Sequence, residues 1–201
     1  MEFWNDEVTD ASWKTLVQLN KNIKFVLIGG WAVYLYTHLE KSKDIDIVVD
    51  YDALKSIENV YELHKNPKLS KYEVKMEKFD IDIYVPHYSK LTVPPEDILG
   101  RTRSVEGFTL PVPEVLLILK TGAFISRNES IKGQKDVVDI LGLLIHSGIE
   151  IDFLKELCKK YSVSQDVIKS IIKNADNKTL SYLSTDQHHF SKIKNRLLSE
   201  F

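Results

Sequence analysis

The tetrapeptide Asp-Ile-Asp-Ile occurs twice in the chain, at residues 44–47 and again at residues 80–83. Successive side chains of a β-strand point to opposite faces of a sheet, so each copy predicts a strand whose isoleucines face a core. Aspartate is nevertheless a poor strand former, and the first copy runs on into Val48 and Val49, where the acidic face turns apolar. Carboxylates at the edge of an apolar region are costly unless a metal cation or another partner compensates them. The motif therefore leaves two interpretations open, ordinary strand alternation and a metal site.

Length and composition restrict the class of protein. The 201 residues suffice for one domain or two small ones, and the 43% hydrophobic and 28% charged residues are typical of a folded globular chain. A net charge of −2 provides no overall basic field for nucleic acid, and the single cysteine, Cys158, excludes a disulfide framework or a cysteine-rich zinc site. No apolar run reaches membrane-spanning length, and the N-terminal segment is too acidic for a signal peptide, so we expect a cytoplasmic protein.

The order of the predicted elements divides the chain near residue 112. Before that point helices and strands are mixed: helices at 9–21, 31–39 and 52–64, strands at 24–28, 44–49, 72–76 and 79–85, and a hairpin at 101–112. After Pro113 every predicted element is a helix: 114–124, 135–146, 152–161, 165–173 and 187–198. We therefore predict an α+β (α/β) fold, with a mixed sheet flanked by helices in residues 1–112 and a helical domain in residues 113–201.

Gly29 and Gly30 end the first predicted strand and precede a helix. Two glycines let the backbone approach a ligand closely, and the free N–H groups at a helix N-terminus suit a phosphate. The segment is neither a Walker loop, since no Gly-Lys-Ser/Thr follows, nor a G-x-G-x-x-G motif. The first Asp-Ile-Asp-Ile strand follows at residue 44, which leaves room for one helix and a return. The sequence therefore predicts a phosphate site beside Asp44 and Asp46.

Taken together, G-G-W-A-V-Y-L-Y, K-S-K-D-I-D-I-V-V and F-D-I-D-I-Y-V resemble the motifs of the DNA polymerase β-like nucleotidyltransferase superfamily. The later P-V-P-E-V-L-L-I-L-K-T-G-A-F and K-D-V-V-D-I-L-G-L-L are similar to its small prokaryotic branch, which includes AbiEii- and MenT-like toxins. The resemblance covers residues 24–145. It implies an NTP substrate and transfer of NMP to a hydroxyl of RNA or tRNA, a protein or a small molecule, with release of pyrophosphate. The resemblance also implies that the protein could be the toxin of a toxin–antitoxin pair.

The resemblance further implies which acids act. Asp44 and Asp46 would hold two Mg²⁺ ions, and Asp82 would be the third ligand. Asp80 lies on the same face of its strand and is the alternative to Asp82. One ion would activate the attacking hydroxyl and the other would stabilise the leaving pyrophosphate.

For the triphosphate, the resemblance implies contacts from the Gly29–Gly30 turn, Lys120 and Lys135, with Lys132 as an alternative lysine. Two of these assignments compete with plainer interpretations. Lys120 lies in an otherwise apolar helix and could extend its ammonium along the helix edge into water. The nearby Asp136 and Asp139 share one helix face, which is either a solvated face or a polar end that faces the cleft.

The chain departs from the branch at one position. Ser42 fits, but Glu40 stands where the branch often carries an arginine, and Lys41 or Lys43 could replace it. Two other functions stay open at this point. The chain could be an inactive homologue that binds nucleotide or a partner protein, or an unrelated α/β interaction domain with exposed acids. Neither the acceptor nor the oligomeric state is indicated.

Overall fold

A computed structural model describes residues 5–201 of the chain. The strands in chain order are β1 Val26–Ile28, β2 Ile45–Val48, β3 His64–Asn66, β4 Lys71–Lys75, β5 Asp80–Tyr84, β6 Thr102–Val105 and β7 Phe108–Pro111. The first five form one mixed sheet in the order β1-β2-β5-β4-β3, in which only the β2–β5 pair is parallel, and β6 and β7 form a separate hairpin. The predicted α+β class, with a mixed sheet, is confirmed.

Ten helices form in residues 5–201. They are α1 Asp6–Asn22, α2 Gly29–Thr37, α3 Tyr51–Glu58, α4 Pro95–Leu99, α5 Pro113–Arg127, α6 Ile131–His146, α7 Ile151–Lys160, α8 Gln165–Asn174, α9 Asn177–Tyr182 and α10 Gln187–Glu200. Five of them lie beyond α5, so the C-terminal part of the chain is helical, as its periodicity predicts. No helix in residues 5–201 has the length and apolar character needed to cross a bilayer.

The two Asp-Ile-Asp-Ile segments form the neighbouring parallel strands β2 and β5. Their register pairs Ile45 with Ile81 and Asp46 with Asp82. The isoleucines of both segments point into the core and are at most 1% exposed. Burial of each such side chain contributes about 1.5–3 kcal/mol to folding. This apolar face fixes the register, so the acids of both strands are carried together on the opposite face.

Helix α2 begins directly at Gly29 and is anchored to α1 through tryptophan. The indole N–H of Trp31 donates a hydrogen bond to Ser12 Oγ at 2.9 Å, and the rings of Trp31 and Trp13 lie 5.0 Å apart. Trp31 is only 1% exposed, so its ring is part of the core. Its hydrogen bond matters because a buried indole N–H without a partner would be destabilising.

The helical half packs against the α/β half around one continuous core. Helix α6 approaches the end of α2 at Gly142, where an added Cβ would lie 3.5 Å from the side chain of Thr37, the last residue of α2. Helix α5 begins at Pro113, whose missing N–H is harmless in a first helical turn. The division into domains at residues 112 and 113 stays a prediction.

The helix predicted over residues 52–64 is wrong in its second half. Helix α3 ends at Glu58, and His64 lies in the edge strand β3. The helix begins one residue earlier than predicted, at Tyr51, and its N-cap is Asp50, which accepts a hydrogen bond from the N–H of Ala53 at 2.7 Å. Strand β3 was missed because it lies at the edge of the sheet and its side chains are largely exposed. The segment His-Lys-Asn therefore carries no apolar alternation.

Other boundaries shift by up to one turn. Helix α6 starts at Ile131, four residues before the predicted start at Lys135, because Ser130 Oγ accepts a hydrogen bond from the N–H of Gly133 at 3.0 Å and caps it. The short helices α4 and α9 were not predicted, since five or six residues carry too little periodicity to identify.

Candidate active site

A cleft of about 630 Å³ opens on the acidic face of the five-stranded sheet. It is bordered by the start of α2, by β2 and β5, and by α5 and α6. Its lining contains all seven residues assigned to the site from the sequence: Gly29, Gly30, Asp44, Asp46, Asp82, Lys120 and Lys135. Lys132 also lines the cleft, whereas Asp80 does not. The fold thus brings together residues from position 29 to position 135 of the chain.

The Gly29–Gly30 turn lies directly against the acidic strand. Gly29 has φ +69°, and an added Cβ would be 2.1 Å from Asp46 Oδ2. An added Cβ on Gly30 would be 2.5 Å from Ser42 Oγ and 3.5 Å from Lys135 Nζ. Both glycines are therefore required for close packing, and the left-handed backbone belongs to Gly29 alone. The same packing holds the Lys135 ammonium beside the turn.

We expect Gly29→Ala to abolish nucleotide binding and to destabilise the fold more than the backbone conformation alone explains. Gly107→Ala is the matched control, because Gly107 has φ +80° but no atom within 4 Å of an added Cβ. The control should lose about 1–2 kcal/mol of unfolding free energy, the cost of a left-handed alanine. Urea denaturation and NTP titration of both variants measure the difference. Equal losses in the two variants would mean that the contact with Asp46 is unimportant.

The three predicted acids lie side by side but have different partners. Asp44 Oδ1 accepts a hydrogen bond from the backbone N–H of Asp80 at 3.3 Å, and Asp44 Oδ2 is 3.5 Å from Lys132 Nζ. Asp82 Oδ2 is 2.6 Å from Lys71 Nζ, while the buried Asp82 Oδ1 has no hydrogen-bond partner. Asp46 lies directly opposite Asp82 in the ladder.

The proximity of these carboxylates changes their proton affinity. Burial and then the charge of Asp82 raise the pKa of the Asp46 carboxyl to about 6. Burial also raises the pKa of Asp82 above its ordinary value, although the Lys71 ammonium acts in the opposite direction. The site therefore concentrates negative charge that a cation would stabilise.

The structure separates the two candidates for the third acid. Asp82 is 17% exposed and lines the cleft, whereas Asp80 is 39% exposed and directs its Oδ2 to Lys75 Nζ at 2.9 Å. Both carboxylates lie on one face of β5, as strand alternation requires. Their position along the strand decides which one reaches the cleft. This geometry favours Asp82, and its role as a ligand stays a prediction.

The donor set suits Mg²⁺, although the carboxylates do not converge. Carboxylate oxygens are the ligands that Mg²⁺ prefers, and the partnerless Oδ1 of Asp82 provides one at the site. Within residues 5–201, however, no three His, Cys, Asp or Glu side chains are grouped so as to hold a metal ion. Lys71 and Lys132 instead contact the carboxylates of Asp82 and Asp44. Mg²⁺ sites of this kind draw further ligands from substrate phosphates, so few protein ligands are needed.

A buried ion cluster on α5 and α6 forms the opposite wall of the cleft. Lys120 Nζ lies 2.7 Å from Asp139 and 3.5 Å from Asp136, and Lys135 Nζ lies 3.0 Å from Asp139. Arg127 binds Asp136 through two hydrogen bonds of 2.8 and 2.9 Å. The side chains of Asp136 and Asp139 are 1% exposed, so the solvated-face interpretation is wrong. Lys120 does not reach into water either, because its charge is compensated inside the protein.

Mutual attraction keeps the groups of this cluster charged. Burial alone would lower the pKa of Lys120, but Asp139 and Asp136 hold it above its ordinary value. Burial would likewise raise the pKa of Asp139, but Lys120 and Lys135 hold it below. Three cations face two anions, so the cluster leaves a surplus positive charge at the cleft wall.

We expect Lys120→Met to lower the free energy of unfolding by about 3–5 kcal/mol, the usual cost of removing one member of a buried ion pair. The control is Lys155→Met on α7, whose partner Asp152 is 97% exposed, and it should change stability by no more than about 1 kcal/mol. Urea denaturation at pH 7 measures both variants. A loss as small as the control's would show that Asp139 is adequately compensated by Lys135 alone.

Sequence reasoning missed two residues of the site. Lys71 belongs to the K-Y-E-V-K alternation of β4, which places it on the same face as Glu73, the residue opposite Asp82, and this alternation was the available signal. Arg127 follows Lys120 by two helical turns, so the i, i+7 spacing placed it on the same face. Of the two lysines considered in place of the missing arginine, Lys43 lines the cleft, whereas Lys41 pairs with Asp10 at 3.1 Å.

The chain is similar to several solved structures. JHP933 from Helicobacter pylori superposes with a TM-score of 0.51 at 18% identity, covering 97% of each chain. An antigenic nucleotidyltransferase-like protein from Paracoccidioides brasiliensis gives a TM-score of 0.45 at 18% identity, over 84% of this chain and 93% of that one. The Megavirus polyadenylate synthase gives 0.48 at 15% identity, over 71% of this chain and 32% of that one. The match to JHP933 supports the fold.

No curated protein matches the chain. A family model described as "Nucleotidyltransferase of unknown function (DUF6036)" matches residues 7–196. This match confirms the nucleotidyltransferase resemblance carried by the glycine turn and the two acidic strands. Because it spans nearly the whole chain, the protein belongs to this nucleotidyltransferase family, DUF6036.

Proposed function

We propose that the protein transfers NMP from an NTP to a hydroxyl acceptor in a Mg²⁺-dependent reaction. The oxygen of the acceptor forms a bond to the α-phosphorus, the bond from that phosphorus to the β-phosphate oxygen breaks, the hydroxyl proton is lost, and pyrophosphate leaves. One observation carries the proposal: a single cleft holds the glycine turn, the paired acids Asp46 and Asp82, and the surplus positive charge of the α5–α6 cluster.

The cationic wall and the glycine turn would bind the triphosphate. Gly29 and Gly30 expose backbone N–H groups at the start of α2, where the helix dipole favours an anion. Lys135 supports this role best, because its ammonium lies beside Gly30 and is only partly compensated through Asp139. Lys120 lines the same wall, and its closer contact with Asp139 makes it a second, weaker phosphate contact.

On the opposite side, the carboxylates of Asp44, Asp46 and Asp82 would hold Mg²⁺. When bound, Mg²⁺ lowers the pKa of the attacking hydroxyl and neutralises charge on the phosphates. The acids thus orient the α-phosphate side of the NTP, while the turn and lysines orient its other end. Because the triphosphate would be held at both ends, the α-phosphorus would be kept in line with the attacking hydroxyl and the leaving pyrophosphate.

The direct test uses NTPs labelled at either the α- or the γ-phosphate, incubated with cell RNA and with lysate protein. We expect the α-label to enter an acceptor fraction in the presence of Mg²⁺ and the γ-label to stay out, because a kinase would do the reverse. Nuclease or protease treatment then identifies the class of acceptor. Label in RNA would identify a nucleic-acid hydroxyl as the acceptor.

The alternative is a homologue that binds nucleotide without turnover. One observation favours it: within residues 5–201, no three His, Cys, Asp or Glu side chains lie close enough together to hold a metal ion. Isothermal titration with Mg-NTP separates the cases. Metal-dependent binding without labelling of any acceptor would support the inactive homologue, and absence of binding would contradict both proposals.

A further inference from the structure

We propose that Lys71 is a resident cation of this site, which occupies Asp82 until a bound triphosphate attracts the lysine away. Metal binding at Asp82 then becomes dependent on nucleotide. The inference rests on the proposed function, since it concerns the same acids, and it assigns the control of metal binding to one residue of β4.

The contacts of Lys71 are those of a buried counter-ion. Its Nζ lies 2.6 Å from Asp82 Oδ2 and 3.0 Å from Glu73 Oε1. The Lys71 side chain is 11% exposed, and the side chain of Glu73 is 10% exposed. Few lysines are buried to this extent without a specific charged partner. Lys71 therefore connects Asp82 to Glu73, whereas Lys75, the other lysine at Glu73, pairs with Asp80 and not with Asp82.

The register of the sheet explains why a cation is needed. Glu73 on β4 lies directly opposite Asp82 on β5. Like charges directly opposite each other on neighbouring strands are destabilising, more so when they are shielded from water. Lys71 bridges these two carboxylates and relieves their repulsion. Without nucleotide, the fold thus contains its own cation at the third acid.

This ammonium and a divalent cation would compete. Lys71 uses Asp82 Oδ2, and a divalent ion at the same carboxylate would be repelled by a positive charge within a few ångströms. The arrangement agrees with the lack of any ready three-acid group within residues 5–201. Lys71 also lines the cleft, so its flexible four-carbon side chain can move to a phosphate without leaving the site. A triphosphate therefore offers the displaced ammonium a new anionic partner.

A purely structural ion pair would behave differently. If Lys71 only stabilised β4 against β5, its removal would cost stability and leave metal affinity unchanged. If Lys71 holds the cation position, its removal must also raise metal affinity in the absence of nucleotide. The two roles are therefore distinguished by a binding measurement, without any turnover.

The experiment is a Mn²⁺ titration followed by electron paramagnetic resonance of the free ion, with Lys71→Met and the unaltered protein. Without nucleotide, we expect Lys71→Met to bind Mn²⁺ about tenfold more tightly or better, the size of effect that groups beside metal ligands exert. We also expect its melting temperature to fall in EDTA and to recover with Mn²⁺ more than that of the unaltered protein, because the ion replaces the lost ammonium.

Three further variants serve as controls. Lys75 lies on the same face of β4 as Lys71, but it contacts Glu73 and Asp80 and not Asp82. The affinity of Lys75→Met for Mn²⁺ should therefore equal that of the unaltered protein. Lys71→Arg keeps the charge and should resemble the unaltered protein. If Lys71→Met does not fold, Lys71→Met combined with Glu73→Gln removes the repulsion between Glu73 and Asp82 and should show the same gain.

An affinity for Mn²⁺ equal to or weaker than that of the unaltered protein would overturn the inference. That includes an absence of binding in both proteins. Failure of the proposed function looks different: no acceptor is labelled by any NTP, while the gain in Mn²⁺ affinity of Lys71→Met persists.

Discussion

Asp46→Asn is expected to lower the NTP-dependent labelling rate by about 10⁴-fold or more, the scale of loss when a group that acts in the reaction is removed. Asp46 lies between the glycine turn and Asp82, so its carboxylate is the central one of the three proposed metal ligands. Asparagine has the same shape and should leave the turn in place. The control is Asp52→Asn on the exposed surface of α3, which should keep full activity. Full activity of Asp46→Asn would disprove the metal assignment.

The same substitution should not destabilise the metal-free protein. Because the folded-state pKa of Asp46 is raised to about 6, the folded chain binds this proton more tightly than the unfolded chain does. The ionised Asp46 therefore lowers stability as pH rises from about 4 towards 6, and the loss is complete above that range. In EDTA at pH 8, Asp46→Asn should melt at a higher temperature than the unaltered protein. The difference should vanish as pH approaches 4, and a lower melting temperature at pH 8 would contradict this account.

Asp82→Ala is expected to reduce labelling on the order of a hundredfold or more, as for loss of a group in the reacting site. Asp80→Ala should cost no more than about tenfold, the low end for a residue that acts on a ligand indirectly. The asymmetry follows from the cleft, which Asp82 lines, whereas Asp80 turns its carboxylate to Lys75. Lys71 retains Glu73 as a partner in Asp82→Ala, so the variant should stay folded.

The measurement is the labelling rate of each variant at saturating Mg²⁺, with circular dichroism to verify folding. Small and equal losses would return the second Asp-Ile-Asp-Ile segment to ordinary strand alternation. A larger loss for Asp80 would keep the mechanism and move the ligand by two residues along β5.

Much of the fold was accessible from the sequence because local signals and packing agree there. The alternating acids and isoleucines give β2 and β5 unambiguously, since one face of each strand must be buried. Gly29 and Pro113 mark the starts of α2 and α5 through backbone chemistry that few other residues share. Strand β3 was not accessible, because its three residues pair with β4 but carry no apolar alternation of their own.

The candidate site was predictable residue by residue but not as a network. The sequence identifies Lys120, Lys135 and the acids as special, yet it cannot show that Asp139 lies between two lysines or that Asp82 contacts Lys71. Those pairings depend on how α5 meets α6 and on the register of β4 against β5. Neither is encoded in a local pattern, because both are set by tertiary packing.

The contact between α1 and α2 has a spectroscopic consequence. Trp31 follows immediately after Gly30, is buried, and shares its surroundings with the ring of Trp13 and the hydroxyl of Ser12. Indole emission depends on the polarity and hydrogen bonding of its environment, so the chain contains an intrinsic fluorophore one residue from the glycine turn. We therefore expect nucleotide binding at that turn to change the fluorescence of the unlabelled protein, and Trp13→Phe removes the neighbouring indole from the signal.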